Sequence, residues 1–222
     1  MLKDNLLPIL EEIKGKNPFN EDITLVGATK FVDVSVINQA ISLGLKVVAE
    51  NQVQEFVKKT DLISKDASQH FIGHLQTNKV KYLVGKVKLI HSVDSLKLAS
   101  VISERANKLN VVQDILLEIN IGGEVSKSGF STLEIEDALK EISSLSGLSV
   151  KGFMTVLPIT EDIEITKKCA KKMRELFDKY KTEYSLTYLS MGMSGDYKIA
   201  IECGSNMIRL GSVIFGKRNY NK

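Results

Sequence analysis

The amino-acid sequence predicts an α/β fold in which eight parallel strands alternate with helices and close into one (β/α)8 barrel of the TIM type. Three observations support this prediction. The chain contains eight apolar runs of strand length, helix-period segments lie between them, and no Gly-rich dinucleotide fingerprint follows the first run. An open doubly wound sheet would share the same local patterns. The count of eight and the missing fingerprint favour the closed barrel.

The eight apolar runs set the order of the strands. They occupy residues 23–29, 46–49, 70–73, 88–91, 113–120, 149–156, 186–190 and 207–210. Helical periodicity is clearest in residues 33–44, 131–147, 161–181 and 196–204, and Ser131 forms a capping box with Glu134. Few residues follow the last strand, so we expect an extra N-terminal helix within residues 1–16 to pack on the barrel there.

Composition places the chain among globular proteins with a sizeable apolar core. Of its 222 residues, 43% are hydrophobic and 26% are charged, and 30 Lys and Arg against 27 Asp and Glu give a net charge of +3. No linker or composition break divides the chain, so we expect one domain over residues 1–222. The small net charge argues against a nucleic-acid partner. We expect a monomer, with a dimer as the open alternative.

Cysteine content and the apolar pattern indicate the compartment. Cys169 and Cys203 are too few for a disulfide framework, which favours a reducing environment. No apolar stretch reaches membrane-spanning length, and the first residues lack the apolar core of a secretion signal. We therefore expect a cytoplasmic protein without a membrane partner.

In a (β/α)8 barrel the active site lies at the carboxyl ends of the strands, and this rule singles out Lys30. The residue directly follows the first apolar run. Apolar neighbours at the barrel mouth would desolvate its ammonium group and favour the free amine, which can attack a carbonyl. The alternative is an ordinary strand-end lysine that extends into solvent.

Serine and glycine residues are concentrated after the last two strands. They lie in residues 190–195, just before a helix start, and in residues 211–212. In barrels, the loops after strands seven and eight often hold a phosphate with backbone N–H groups and hydroxyls. Two tight turns would use the same residue types. Two such stretches at the same end of adjacent strands favour the phosphate site.

Arg209 and two histidines are the remaining candidates for chemistry. Arg209 lies within a short apolar strand, where its charge needs a partner, either Glu118 in a buried ion pair or a cofactor atom at the barrel mouth. His70 and His74 are four residues apart across a strand end, with no third ligand nearby. We therefore expect no metal site.

Several stretches together resemble one protein family. The most specific are His-Phe-Ile-Gly-His-Leu-Gln at residues 70–76 and Leu-Ser-Met-Gly-Met-Ser-Gly-Asp at residues 189–196. Further matches lie at residues 25–30, 50–55, 90–95, 127–129, 152–154 and 208–216. On these residues the chain resembles the pyridoxal phosphate homeostasis proteins, which are related to the N-terminal barrel of alanine racemase. The resemblance implies that barrel, the type III fold of pyridoxal phosphate (PLP) proteins.

The resemblance also implies a cofactor and its ligands. It implies that pyridoxal 5′-phosphate is bound as a Schiff base on Lys30 and that Arg209 faces the pyridine nitrogen. The residues implied to hold the phosphate are Ser190, Ser194, Gly211 and Ser212, and those implied to line the pocket are Asn51, His74, Met154 and Met191. The chain departs from the family pattern at Thr29, Ala49 and Gln52, none of which touches the covalent attachment.

These implied contacts favour a protein that holds and supplies the cofactor in intracellular PLP homeostasis, with the apo forms of PLP-dependent enzymes as recipients. An arginine beside the pyridine nitrogen discourages its protonation, and an unprotonated ring is a poorer electron sink. Alanine racemase needs a base from a second domain, and no sequence for one follows Lys222, so we expect no efficient amino-acid chemistry. Two alternatives stay open: a weak PLP-dependent racemase or lyase that uses Lys30 with His74, and a Schiff-base aldolase on a phosphosugar.

Overall fold

Eight parallel strands close into a barrel in sequence order, with β8 paired to β1, so the predicted fold is confirmed. The computed structural model describes residues 1–124 and 128–216. Lys127, in one of the family-like stretches, lies outside these ranges. The strands are β1 Thr24–Ala28, β2 Val47–Glu50, β3 Ser68–Phe71, β4 Leu89–Val93, β5 Gln113–Glu118, β6 Leu148–Met154, β7 Tyr188–Ser190 and β8 Met207–Leu210.

Helices connect the strands on the outside of the barrel. They are α1 Leu2–Glu12, α2 Val34–Ser42, α3 Val53–Lys59, α4 Leu96–Lys108, α5 Ile135–Ser143, α6 Ile163–Lys181, α7 Tyr197–Glu202 and α8 Ser212–Phe215, with 3₁₀ turns at Thr60–Leu62 and Thr77–Tyr82. The predicted segment 131–147 yields only the shorter α5: residues 132–134 form a turn before it, where the Ser131 N–H donates to the Glu134 carboxylate, and the helix ends at Ser143 rather than at Gly147. In the described part of the chain, no helix has both the length and the apolar character needed to cross a membrane.

Side chains alternate between the barrel interior and the helical layer. The interior contains Val26, Val47, Ala49, Leu89, Leu116, Met154 and Met207. On β8, Met207 faces this interior, whereas Ile208 and Leu210 pack outward against α1, α2 and α8. Alternation along the strand therefore directs Arg209 inward.

The N-terminal helix packs beside the last strand. Leu6 and Ile9 of α1 are buried in one cluster with Ile208 and Ile214. The Asn5 side chain donates to the Ile214 carbonyl at 3.2 Å. Burial of these apolar side chains stabilises the barrel where β8 meets β1.

A cluster of polar side chains ties the amino-terminal ends of β1 and β8 to α6. Arg174 donates to both carboxylate oxygens of Glu21, at 2.7 and 3.1 Å, and Lys181 contacts the same carboxylate. The amides of Asn17 and Asn206 add donors at 3.3 and 3.1 Å. Burial raises the pKa of Glu21, but the donated hydrogen bonds outweigh it and lower the pKa from 4.5 to about 2.

Glu21→Gln is expected to lower the free energy of unfolding by on the order of 1 kcal/mol near neutral pH. Because the folded state holds the pKa of Glu21 below its unfolded value, the carboxylate stabilises the fold above about pH 4.5, and this contribution is lost as the pH falls toward 2. Urea unfolding of both proteins at several pH values measures the difference. A difference that stays constant down to pH 2 would contradict this role of Glu21.

Candidate functional site

A cavity of about 690 Å³ opens at the carboxyl ends of the strands, the end at which barrels place their chemistry. Its wall is formed by Ala28, Lys30, Ala49, Asn51, Ile72, Gly73, Met154, Val156, Met193, Ser194, Gly195, Arg209, Gly211 and Ser212. These residues lie in, or directly after, β1, β2, β3, β6, β7 and β8. The barrel thus collects in one cavity residues that are far apart in the sequence.

Seven of the ten site residues predicted from the sequence line this cavity: Lys30, Asn51, Met154, Ser194, Arg209, Gly211 and Ser212. The other three lie elsewhere. Ser190 and Met191 are fully buried, and the His74 side chain is 63% exposed and pairs with Asp94 at 3.2 Å. Position at a strand end, the rule that selected Lys30, applies equally to Ile72 and Val156 and could have found them.

Lys30 lies two residues beyond β1 and is half-buried in the cavity wall. Its Nζ atom is 5.0 Å from the centroid of the Phe31 ring, a cation–π distance. Phe31 has a φ of +61°, a left-handed conformation that turns the chain at the end of the strand. The expected desolvation of Lys30 is therefore partial, and its amine remains accessible from the cavity.

Behind Lys30, a buried ion pair fixes the end of β1. Lys59 of α3 donates to the Glu50 carboxylate (2.9 Å) and to the Thr29 carbonyl (3.2 Å), and it pairs with Glu55 (3.1 Å). The Thr29 hydroxyl also donates to Glu50, at 2.7 Å. Because Thr29 directly precedes Lys30, this network holds the backbone from which the Lys30 side chain enters the cavity. No sequence pattern marked it.

The loops after β7 and β8 meet at Ser194. Its hydroxyl oxygen accepts from the backbone N–H groups of Gly211 (3.4 Å) and Val213 (3.5 Å). Gly192, with a φ of +97°, makes the turn after β7, and a Cβ atom there would lie 2.7 Å from the Ala200 Cβ. The two serine- and glycine-rich stretches thus form one cluster of hydroxyl and N–H groups, which suits a phosphate.

Arg209 is buried and hydrogen-bonded to neutral groups. Its Nη1 donates to Ser190 Oγ (2.7 Å) and its Nη2 to the Thr155 carbonyl (2.9 Å). The ion pair with Glu118 that charge alone suggested is not among the contacts of the described residues. Burial lowers the pKa of Arg209 to about 10, against the opposing effects of Asp196 and Glu118, so the guanidinium is charged at neutral pH.

Asn51 and Gly73 bring the ends of β2 and β3 together. A Cβ atom at Gly73 would lie 2.0 Å from the Asn51 carbonyl oxygen, so only glycine permits this approach. Within the described ranges, the buried Asn51 Oδ1 atom has no hydrogen-bond partner. An unsatisfied buried polar atom is costly, and its place in a cavity-lining residue makes the Asn51 amide a candidate contact for a polar group of a ligand.

Glu118 lies beside the main cavity, in the wall of a smaller one of about 170 Å³. Burial raises its pKa, and Asp94 adds to this effect, whereas Arg209 and His74 oppose it.

In residues 1–124 and 128–216, no group of three His, Cys, Asp or Glu side chains is placed to hold a metal ion.

Comparison with known proteins places this barrel in a class. The family model described as "Alanine racemase, N-terminal domain" matches residues 30–219. An alanine racemase of Clostridium difficile shares the fold, with a TM-score of 0.80 at 19% identity over 99% of this chain and 57% of that chain. The fold and the strand-end lysine therefore define a barrel of the alanine racemase type.

Similar sequences narrow the class. A pyridoxal phosphate homeostasis protein of Aquifex aeolicus is 46% identical over 199 residues, which cover 88% of this chain and 87% of that protein. The one of Pasteurella multocida is 33% identical and covers 100% of this chain and 99% of its own. PipY of Synechococcus elongatus, solved with PLP bound, has a TM-score of 0.84 at 27% identity over 97% of this chain and 100% of that chain. The chain belongs to the pyridoxal phosphate homeostasis protein family.

Proposed function

We propose that the protein binds PLP in the strand-end cavity as a Schiff base on Lys30 and holds it for supply to other enzymes. The observation that supports this most is the joint presence of Lys30, Arg209 and the loop residue Ser194 in one cavity. The lysine amine can react with the aldehyde of PLP, and the fixed cation can face its ring nitrogen. The hydroxyl and N–H groups can bind its phosphate. The PLP-bound structure of PipY supports the same cofactor.

Each group in the cavity wall then has a task. Ser194, Gly211 and Ser212 hold the phosphate, Arg209 faces the ring nitrogen, Met154 supplies an apolar wall, and Asn51 offers its side-chain amide to a polar atom of the cofactor. Ser190 contacts Arg209 and not the cavity, so we assign it no direct contact with the phosphate. The cavity residues thus fit PLP at both its polar ends and its ring.

The charge of Arg209 favours storage over amino-acid chemistry. PLP supplies enzymes with an electron sink, which is strongest when its ring nitrogen is protonated. A guanidinium beside that nitrogen disfavours protonation, because two positive charges repel. His74, the local base that a racemase or lyase would use, lies outside the cavity wall and pairs with Asp94. These features favour a homeostasis role with PLP-dependent apo-enzymes as recipients.

Transfer of the cofactor tests this function. Protein loaded with PLP and freed of excess by gel filtration is mixed with the apo form of a PLP-dependent enzyme, whose activity is followed. We expect activity to return in proportion to the loaded protein added, whereas protein never exposed to PLP restores none. A protein that takes up no PLP would contradict the proposal. Rapid turnover of an amino acid by the loaded protein alone would favour the racemase or lyase alternative.

A further inference from the structure

Four polar side chains form a continuous hydrogen-bonded row inside the barrel. His70 Nδ1 lies 3.0 Å from His91 Nε2, His91 Nδ1 lies 3.2 Å from Ser190 Oγ, and Arg209 Nη1 lies 2.7 Å from the same Oγ. The four residues belong to β3, β4, β7 and β8, and each is at most 5% exposed. Because β4 and β7 are not neighbours in the barrel, the row crosses its interior.

Among the described residues, one arrangement of protons satisfies each contact in this row and also gives the Ser190 hydroxyl proton an acceptor. A guanidinium only donates, so Ser190 Oγ accepts from Arg209. The Ser190 hydroxyl proton then goes to its other partner, His91 Nδ1. A His91 ring that accepts at Nδ1 has its proton on Nε2 and donates it to His70 Nδ1. His70 and His91 are therefore both neutral and both protonated at Nε2.

Burial keeps both rings neutral. It lowers the pKa of His70 to about 4, with a smaller contribution from Lys88. It also lowers the pKa of His91 well below its usual value, aided by the neighbouring His70 ring and by the positive charge of Arg209. The second acceptor of Arg209 is the Thr155 carbonyl, which is neutral as well. Both groups that accept hydrogen bonds from the guanidinium are thus neutral, and Asp196 and Glu118 act on its charge without a hydrogen bond to it among the described residues, so it remains a cation at the cavity wall.

We infer that Ser190, His91 and His70 are positioning residues for Arg209, whose guanidinium they fix at the cavity wall as a full cation. The inference rests on the proposed function, in which that cation faces the ring nitrogen of PLP. A carboxylate in place of the Ser190 hydroxyl would also hold the guanidinium, but it would cancel the charge. The row therefore sets both the direction and the electrostatic effect of Arg209 on the cofactor.

Ser190→Ala interrupts the row at its centre, and Ser205→Ala is the matched control. Both serines are fully buried. The Ser205 hydroxyl is within hydrogen-bond distance of three backbone carbonyls in β7, the turn after it and β8. These are the carbonyls of Leu189 (3.1 Å), Met191 (2.8 Å) and Met207 (3.0 Å). Each substitution removes one buried hydroxyl, so a purely structural effect would be similar in the two variants.

The experiment loads each protein with PLP and measures its absorption spectrum and its rate of PLP release into a scavenger. We expect Ser190→Ala to release PLP about tenfold faster than wild type, with a shifted spectrum, because Arg209 loses a hydrogen bond worth about 1.4 kcal/mol. We expect Ser205→Ala to match wild type in both. Unchanged release and spectrum in Ser190→Ala would overturn the inference alone. A wild-type protein that takes up no PLP would overturn the proposed function and the inference with it.

The arrangement of protons is tested without PLP. In ¹⁵N-labelled protein, long-range ¹H–¹⁵N spectra report which ring nitrogen of each histidine is protonated, and the chain has only 3 histidines to assign. We expect neutral rings protonated at Nε2 for His70 and His91, and we expect His91 to lose this fixed preference in Ser190→Ala. His91 protonated at Nδ1 in the wild-type protein would overturn this arrangement of protons.

Discussion

Lys30→Ala protein is expected to contain no covalently attached PLP after loading, whereas wild-type protein is expected to contain a pyridoxyl group on Lys30 after reduction. Lys30 is the lysine in the wall of the strand-end cavity, so its removal takes away the amine that meets the aldehyde. Borohydride reduction of the loaded protein, followed by mass spectrometry of its peptides, locates the modified lysine.

Two other lysines serve as comparisons. Lys88 is exposed before β4, at the opposite end of the barrel, and pairs with Asp114 at 3.2 Å, so Lys88→Ala should keep wild-type labelling. Lys59 contacts the residue before Lys30, but Glu50 and Glu55 already engage its ammonium group. We expect no label on Lys59 in either variant. Labelling spread over surface lysines in wild-type protein would contradict the assignment.

The same variant separates covalent from non-covalent binding. Lys30→Ala keeps Arg209 and the loops that meet at Ser194, so it should still bind PLP reversibly. Dialysis is then expected to remove the cofactor from the variant much faster than from wild-type protein. A variant that fails to bind PLP even reversibly would show that Lys30 also shapes the cavity.

The barrel and most of the cavity wall could be predicted from the sequence, for a physical reason. Parallel strands are buried on both faces, so they are visible as short apolar runs, and β8 occupies the same residues, Met207–Leu210, as the run that predicted it. In a closed barrel the carboxyl ends of all strands meet at one face. A lysine after β1 and serine- and glycine-rich loops after β7 and β8 must therefore lie together, even though about 160 residues separate Lys30 from Ser194.

The partners of the buried charges could not be predicted in this way. Charge alone suggested Glu118 for Arg209, but the acceptors are a serine hydroxyl and a backbone carbonyl, which have no sequence signature. Ser190, which the family resemblance assigned to the phosphate, faces Arg209 and His91 instead. That contact joins β4 to β7 across the interior and depends on barrel closure and strand tilt, which local periodicity does not encode.

Lys59 shows the same limit on a helix. It follows Lys58 in α3, and nothing in the sequence distinguishes one lysine from the other. The side chain of Lys58 is 73% exposed, whereas that of Lys59 is 10% exposed and lies against Glu50 at the end of β2. The difference arises only when α3 packs on the barrel, so it becomes visible only in the structure.

Lys59→Met is expected to lower the free energy of unfolding by about 3–5 kcal/mol, the cost of removing one partner of a buried ion pair. Methionine keeps the apolar stem of the side chain but leaves the carboxylate of Glu50, which is 2% exposed, without its cation. The Glu50 Oε2 atom has no hydrogen-bond partner within residues 1–124 and 128–216, so in the variant the Thr29 hydroxyl, on Oε1, is the donor that remains among the contacts of these residues. Urea unfolding measures the change.

Lys58→Met is the matched control, because the Lys58 side chain is 73% exposed and pairs with Glu55 at the longer distance of 3.7 Å. We expect it to change stability by at most about 0.5 kcal/mol. Adding Glu50→Gln to Lys59→Met removes the stranded charge and keeps an oxygen for the Thr29 hydroxyl, so most of the lost stability should return. Equal losses in the two lysine variants, or no recovery in the double variant, would contradict the burial of this charge pair.

The double variant also separates support of the fold from support of the site. Its stability recovers, but the hydrogen bond from Lys59 to the Thr29 carbonyl, next to Lys30, stays absent. If that bond orients the Lys30 backbone, reductive labelling of Lys30 by PLP should remain slower than in wild-type protein although the fold is restored. Labelling that recovers together with stability would assign the Glu50–Lys59 pair to the fold alone. Slow labelling on a stable barrel would show that the buried pair aims the amine at the cavity.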